Sequence, residues 1–162
     1  MSRGPESNFW SMIRKNLPRN CYAWRLENRV SAGMPDVYAI WDGLPVWIEL
    51  KVIKANAVRL SPQQVAWHTA HSHAGGLSFI LVKRTSDGDL FLFEGREARS
   101  VASEGLGARA EFRGSRIGDV WEAVHRFGSG HFGDKFGSGS GSGLPPSHPP
   151  THKKAPPKRG CG

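Results

Sequence analysis

Apolar and polar positions alternate along this chain with two distinct periods, and the changes of period mark the elements. Glu6, Trp10, Ile13 and Leu17 recur at helical spacing behind Gly4-Pro5, a helix start with Pro in the first turn, and "LPRN" ends that helix. "CYAWRLENRV" alternates loosely and predicts a strand, followed by a turn at "SAGM". Two further strands, 36–41 and 46–53, flank Asp42-Gly43, a strong short hairpin signal. "SPQQVAWHTAHSHAGG" predicts a helix with Ser61 as N-cap, Pro62 in the first turn and Gly75-Gly76 as the stop. "LSFILVKR" suits a strand buried on both faces, "SDGD" turns it, and "LFLFEG" continues as another strand. Ile117, Val120, Trp121, Val124 and Phe127 then share one helical face.

This order of elements predicts an α/β sandwich, one mixed central sheet flanked by helices. Composition sets the expected boundaries: a folded domain over 1–127, a Gly/Ser-rich flexible linker over 128–143 and a Pro/Lys-rich basic tail over 144–162.

The strand "VWIELKV" departs from the apolar pattern. Glu49 and Lys51 fall two residues apart, on one face, while Ile48, Leu50 and Val52 fall on the other. The hairpin brings in a third charge. A two-residue turn at Asp42-Gly43 pairs residues whose numbers sum to 85 and sets Asp36 opposite Glu49. A four-residue loop sets it opposite Lys51; in both, Asp36 shares their face. Two carboxylates beside an ammonium suit a hard divalent cation, which prefers oxygen ligands and keeps several waters. The plainer alternative is a pair of solvent-facing charges that neutralise one another on a half-exposed strand.

Charge narrows the partners. The 162 residues carry a net charge of +8, four of those charges on the acid-free tail after Phe136. A basic balance favours a polyanion, nucleic acid before an anionic membrane surface. No apolar run is long enough to span a bilayer. The start shows no secretory pattern, and only Cys21 and Cys161 are present, so a reducing cytoplasm is expected.

"PD" at 35–36, twelve residues and then "ELK" at 49–51 resembles the signature of the PD-(D/E)XK nuclease superfamily. With "RLSPQQVAWHTAHSHAGG" and "FILVKR" following, the chain is most similar to virus-type replication-repair nucleases (VRR-NUC) and archaeal-type Holliday-junction resolvases. The likeness covers Glu6 to Phe93, about half the chain. It implies a restriction-endonuclease-like αβββαβ core and a Mg²⁺-dependent DNA endonuclease, with Mn²⁺ as a substitute. It also implies branched, four-way DNA as substrate, a 5′-phosphate product and a phage setting in a host cytoplasm. Two cuts on a two-fold junction imply a homodimer. By the resemblance Asp36, Glu49 and the Leu50 carbonyl hold the metal, with Glu6 as a further candidate ligand. Lys51 is the catalytic lysine and Gln64 the glutamine of the later helix. Glu6 also reads as a first-turn acid favoured by the helix dipole, and Gln64 as the third position of a capping box with Ser61. The other readings are a restriction- or repair-type nuclease for linear or flapped duplex, and a catalytically silent nucleic-acid-binding module.

Lys54, Arg59, Lys83 and Arg84 flank the candidate site as phosphate contacts or as plain surface charge. Lys153, Lys154, Lys158 and Arg159 form a basic arm that adds salt-dependent affinity or only solubility. His68, His71 and His73 lack a Cys or carboxylate at zinc-ligand spacing and are expected as exposed helix residues.

Overall fold

The structure is a computed structural model that describes residues 4–26 and 32–136. The expected αβββαβ order is present. Helix α1 (Pro5–Lys15) leads into β1 (Cys21–Arg25), β2 (Val37–Trp41) and β3 (Leu44–Ile53), followed by α2 (Pro62–His73) and β4 (Ser78–Arg84). Strand β5 (Leu90–Glu94), helix α3 (Ala98–Glu104), strand β6 (Phe112–Gly114) and helix α4 (Ile117–Phe136) complete the unit. The six strands form one mixed sheet in sequence order, β1 to β6. Neighbours are antiparallel except β3 and β4, which are parallel. A parallel pair needs a crossover connection, and α2 supplies it.

The β2–β3 hairpin settles the register. Trp41 pairs with Leu44 and Val37 with Ile48, so the two-residue turn is the one formed. Asp42 and Gly43 both take positive φ, 47° and 80°, the mirror-image turn whose twist matches that of paired strands. Gly43 adopts this conformation without steric cost.

Each face of the sheet has its own core. On one, Val37, Ala39, Ile48, Leu50, Phe79 and Leu81 pack beneath Phe9 and Ile13 of α1 and Val120, Trp121 and Val124 of α4. On the other, Ile80, Val82, Phe91 and Phe93 pack with Val58 and with Ala98 and Val101 of α3. Strands β4 and β5 are therefore buried on both faces, as their unbroken apolar runs predict.

Three features differ from the sequence expectation. Helix α3 and strand β6 were not foreseen: α3 has only seven residues, too short for periodicity to reveal. In α1 the buried positions are Phe9 and Ile13, with Trp10 and Leu17 at the margin of the core, so the inward stripe is rotated slightly. The expected linker begins too early, because α4 continues through Phe136. Packing explains part of this extension. Gly128 sits against Leu44 and Leu77, so closely that a Cβ would lie 3.0 Å from one and 3.1 Å from the other. His131 stacks on Phe127, with its Nε2 3.4 Å from the Gly75 carbonyl. The remainder of the expected linker and the basic tail lie outside the described residues.

Candidate active site

Strand β3 outruns its partner. Beyond the Val37–Ile48 pair, β2 has ended, and the backbone of β3 on that side has no ladder to join. Asp36, the residue before β2, fills the gap: its Oδ2 accepts a hydrogen bond from the Leu50 amide at 3.0 Å. Its own carbonyl accepts from the Leu26 amide at 2.7 Å, which anchors it to the end of β1. The N–H and C=O of one strand residue point the same way, so the Leu50 carbonyl also opens toward Asp36. Extending the hairpin register by one pair sets Asp36 level with Glu49.

Glu49 and Lys51 occupy the opposite face from Leu50. Their neighbours across β4 are Ile80 and Val82, so both charges stand beside an apolar core. Glu49 is 1% exposed. Its Oε1 is held by Lys51 Nζ at 2.8 Å and accepts from Gln64 Nε2. Its Oε2 is buried and has no hydrogen-bond partner among the described residues. Burial raises the Glu49 pKa to about 7; the charges of Asp36 and Glu6 add to the rise, and Lys51 opposes it.

Gln64 arrives by a well-determined route. The Ser61 Oγ accepts from the Gln64 amide at 3.1 Å, and Gln64 Oε1 accepts from the Ser61 amide at 3.0 Å. This capping box fixes the first turn of α2. The carboxamide oxygen is thereby used on the cap, and the nitrogen is directed at Glu49. Gln64 thus caps α2 and contacts Glu49 at once.

No protein-family model matches the chain. No curated protein matches it. One solved structure it resembles is Hjc, a Holliday junction resolvase from the archaeal hyperthermophile Archaeoglobus fulgidus. The two are 21% identical, the match covers 56% of this chain and 74% of that one, and the TM-score is 0.43.

The donor set fits a hard cation on chemical grounds. A buried carboxylate with an unused oxygen, a second carboxylate beside it and a strand carbonyl turned the same way are oxygen ligands of the type Mg²⁺ accepts. A positive ion would favour the charged form of Glu49, which burial disfavours. Among the described residues no three His, Cys, Asp or Glu side chains gather into a ready-made cage. The charge of Glu6 also acts on Glu49. Two carboxylates and a carbonyl suit a cation that retains most of its waters.

The flanking cations separate into different environments. Lys54 and Arg59 are exposed. Lys83 points to the α1 side of the sheet, with Nζ 3.9 Å from Met12 Sδ. Arg84 is engaged elsewhere: its guanidinium pairs with Asp87 at 2.6 Å, bonds Asn56 at 3.2 Å and lies over the Phe91 ring. Lys153, Lys154, Lys158 and Arg159 lie outside the described residues.

His68 overturns an expectation. It is fully buried rather than exposed, with Nδ1 2.9 Å from Ser78 Oγ and Nε2 without a partner among the described residues. Burial lowers its pKa to about 4, with smaller contributions from His71 and Lys51. His71 is half-buried and stacks on Trp67, while His73 is exposed. The signal in the sequence was the spacing Gln64, His68, Ser72, a polar stripe at four-residue intervals on the inward side of α2.

Proposed function

We propose that this chain is a divalent-cation-dependent DNA endonuclease, with Asp36, Glu49 and Lys51 at its centre. The observation that supports this most strongly is the state of Glu49. A carboxylate is buried against an apolar sheet face, one oxygen is fixed by Lys51 and Gln64, and the other is unsatisfied beside Asp36. An unused buried polar atom costs about 1–3 kcal/mol, and a bound cation would satisfy this one.

In this reading Asp36, Glu49 and the Leu50 carbonyl hold Mg²⁺ or Mn²⁺. The bound ion supplies Lewis acidity and lowers the pKa of an attacking water. Lys51, held 2.8 Å from Glu49, orients that water and offsets charge growing on the phosphate oxygens. The water oxygen bonds to phosphorus as the bond to the 3′ oxygen breaks, leaving a 5′-phosphate. Gln64 keeps Glu49 in place. Lys54 and Arg59, both exposed, contact flanking phosphates. We assign branched DNA as the favoured substrate, a homodimer as the working unit and phage replication or recombination as the setting. These finer points rest on the PD…ELK resemblance.

The test is to incubate the protein with labelled four-way, flap and linear DNA, with Mg²⁺ or with EDTA. Mg²⁺-dependent cutting of the four-way substrate in preference to the others is expected, and Asp36→Ala and Lys51→Ala should abolish it. Equal cutting of all three would support a restriction- or repair-type nuclease. Binding without cleavage, with or without metal, would support a silent nucleic-acid-binding module.

A further inference from the structure

The face of the sheet that carries Glu49 continues past it as an aromatic surface. At the next pair on this face, two residues along from the level of Asp36 and Glu49, Trp24 lies beside Tyr38 and Tyr38 beside Trp47. The next pair sets Tyr22 beside Ile40. Tyr38 and Trp47 contact one another with ring centres 4.8 Å apart, but the outer residues are uncovered: Tyr22 is 59% and Trp24 58% exposed. Their rings lie 6.5 Å apart and 30° from parallel. Exposed large aromatics stacked on an edge strand are a liability for aggregation unless they serve a contact.

A cleft of about 730 Å³ runs round this edge between β1 and α1, lined by Tyr22, Trp24 and Arg25 of β1 and by Trp10 and Arg14 of α1. Arg25 is held in place by donating to Ser7 Oγ at 3.0 Å. No acidic side chain lines the cleft among the described residues. This edge is tied to the candidate site, because Leu26, directly after β1, donates its amide to the Asp36 carbonyl.

Flat aromatic faces on one side of an edge strand with guanidinium groups round the other suit one chemistry in particular. Bases stack on the rings while the phosphates between them meet the cations. Duplex DNA shows only base edges in its grooves, so an aromatic face is useful only for bases that have left the stack. A second copy of the chain fits less well. A two-fold contact of β1 on β1 would bring Arg14 and Arg25 of both copies together with no carboxylate in the cleft to pair them.

We infer that the β1–α1 edge binds an unpaired stretch of nucleic acid, with Tyr22 and Trp24 stacking on bases and Arg14 and Arg25 holding phosphates. Resting on the nuclease reading, this sharpens the substrate class: DNA that offers a single-stranded segment beside the scissile phosphate. Binding at this edge does not depend on cleavage, so the two fail separately.

The test uses the full chain in EDTA and a fluorescein-labelled oligo(dT) of about twelve nucleotides. The wild type should bind it with anisotropy and tryptophan-quenching changes. The exposed double variant Tyr22→Ala/Trp24→Ala, with an unchanged circular dichroism spectrum, should bind about tenfold or more weakly. Arg14→Ala should reduce the slope of log affinity against log salt by about 0.7. Arg99→Ala, on α3, should match the wild type. Absence of oligo(dT) binding by the wild type would overturn the inference. So would unchanged affinity of the double variant, or a double variant that altered only the sedimentation state, which would make this edge a contact between copies.

Discussion

Helix α2 covers two buried titratable groups, Glu49 of β3 through Gln64 and its own His68 one turn further on, and they are opposites. Gln64 reaches Glu49, whose pKa is raised to about 7, and His68 packs on Ser78 with its pKa lowered to about 4. Burial is the largest cause of both shifts; it penalises whichever form is charged, so it favours a neutral acid and a neutral base. Each group also leaves one atom unpaired, Glu49 Oε2 and His68 Nε2. The surroundings of those atoms differ. Glu49 has a second carboxylate, Lys51 and the open side of β3 beside it. His68 is closed in by Ser78 and by Gly95, where any Cβ would collide with the Ser78 hydroxyl. One group has charged neighbours around its unpaired atom, and the other is closed in by packing. Two buried polar groups beneath one helix thus have different surroundings.

The largest expected contrast is in stability. His68→Ala should cost about 2–4 kcal/mol, from a cavity and an abandoned Ser78 hydroxyl. Glu49→Gln should stay within about 1 kcal/mol of the wild type at neutral pH, because burial already penalises the charged carboxylate and Lys51, 17% exposed, can turn to water. Urea denaturation at neutral pH checks both, and equal losses would erase the distinction.

A second contrast is in pH. His68 titrates at its ordinary 6.5 in the unfolded chain and at about 4 in the folded one. Between these the unfolded chain binds the extra proton, so this contribution to stability falls as pH drops from 6.5 to 4. Glu49 moves from 4.5 unfolded to about 7 folded, so the folded chain holds the extra proton and stability falls as pH rises through that range. The two nearly cancel from pH 4.5 to 6.5 in the wild type. Glu49→Gln should expose the His68 slope, stability rising with pH by on the order of 3 kcal/mol across its window. His68→Asn should expose the opposite slope. Urea midpoints measured from pH 4 to 7 would show whether the signs are as stated.

Gln64 links the cap of α2 to Glu49, so Gln64→Ala should act on both, costing about 1 kcal/mol and slowing cleavage about tenfold or more. Single-turnover cleavage beside thermal melting separates these effects; a stability loss with unchanged cleavage would assign Gln64 to the cap alone. Ser78→Ala is the mildest change, about 1 kcal/mol from the lost bond to His68, with cleavage unaffected.

The sequence revealed the half of this comparison that follows from local rules. Asp42-Gly43 announces a short hairpin, and with either a two- or a four-residue loop Asp36 falls on the face of Glu49 and Lys51; the structure has the two-residue turn. Ser61-Pro62 and Gln64 likewise announce the start of α2. What could not be read depends on tertiary packing. His68, followed by "TAHSHA", looks solvated until α2 is laid on β4. Residues 128–136 have a linker's composition, yet continue a helix seated against Leu44 and Leu77. The exposure of Trp24 follows from β1 being an edge strand, which no property of "CYAWR" discloses.

The central claim is that Glu49 belongs to a cation-dependent site for phosphodiester cleavage. The most direct measurement is single-turnover cleavage of labelled four-way DNA by the wild type and by folded Glu49→Gln, each with Mg²⁺ and with EDTA. The account predicts Mg²⁺-dependent cutting by the wild type and a loss of about 100-fold or more in the variant. Cleavage by Glu49→Gln at the wild-type rate, or wild-type cleavage that persists in EDTA, would contradict it.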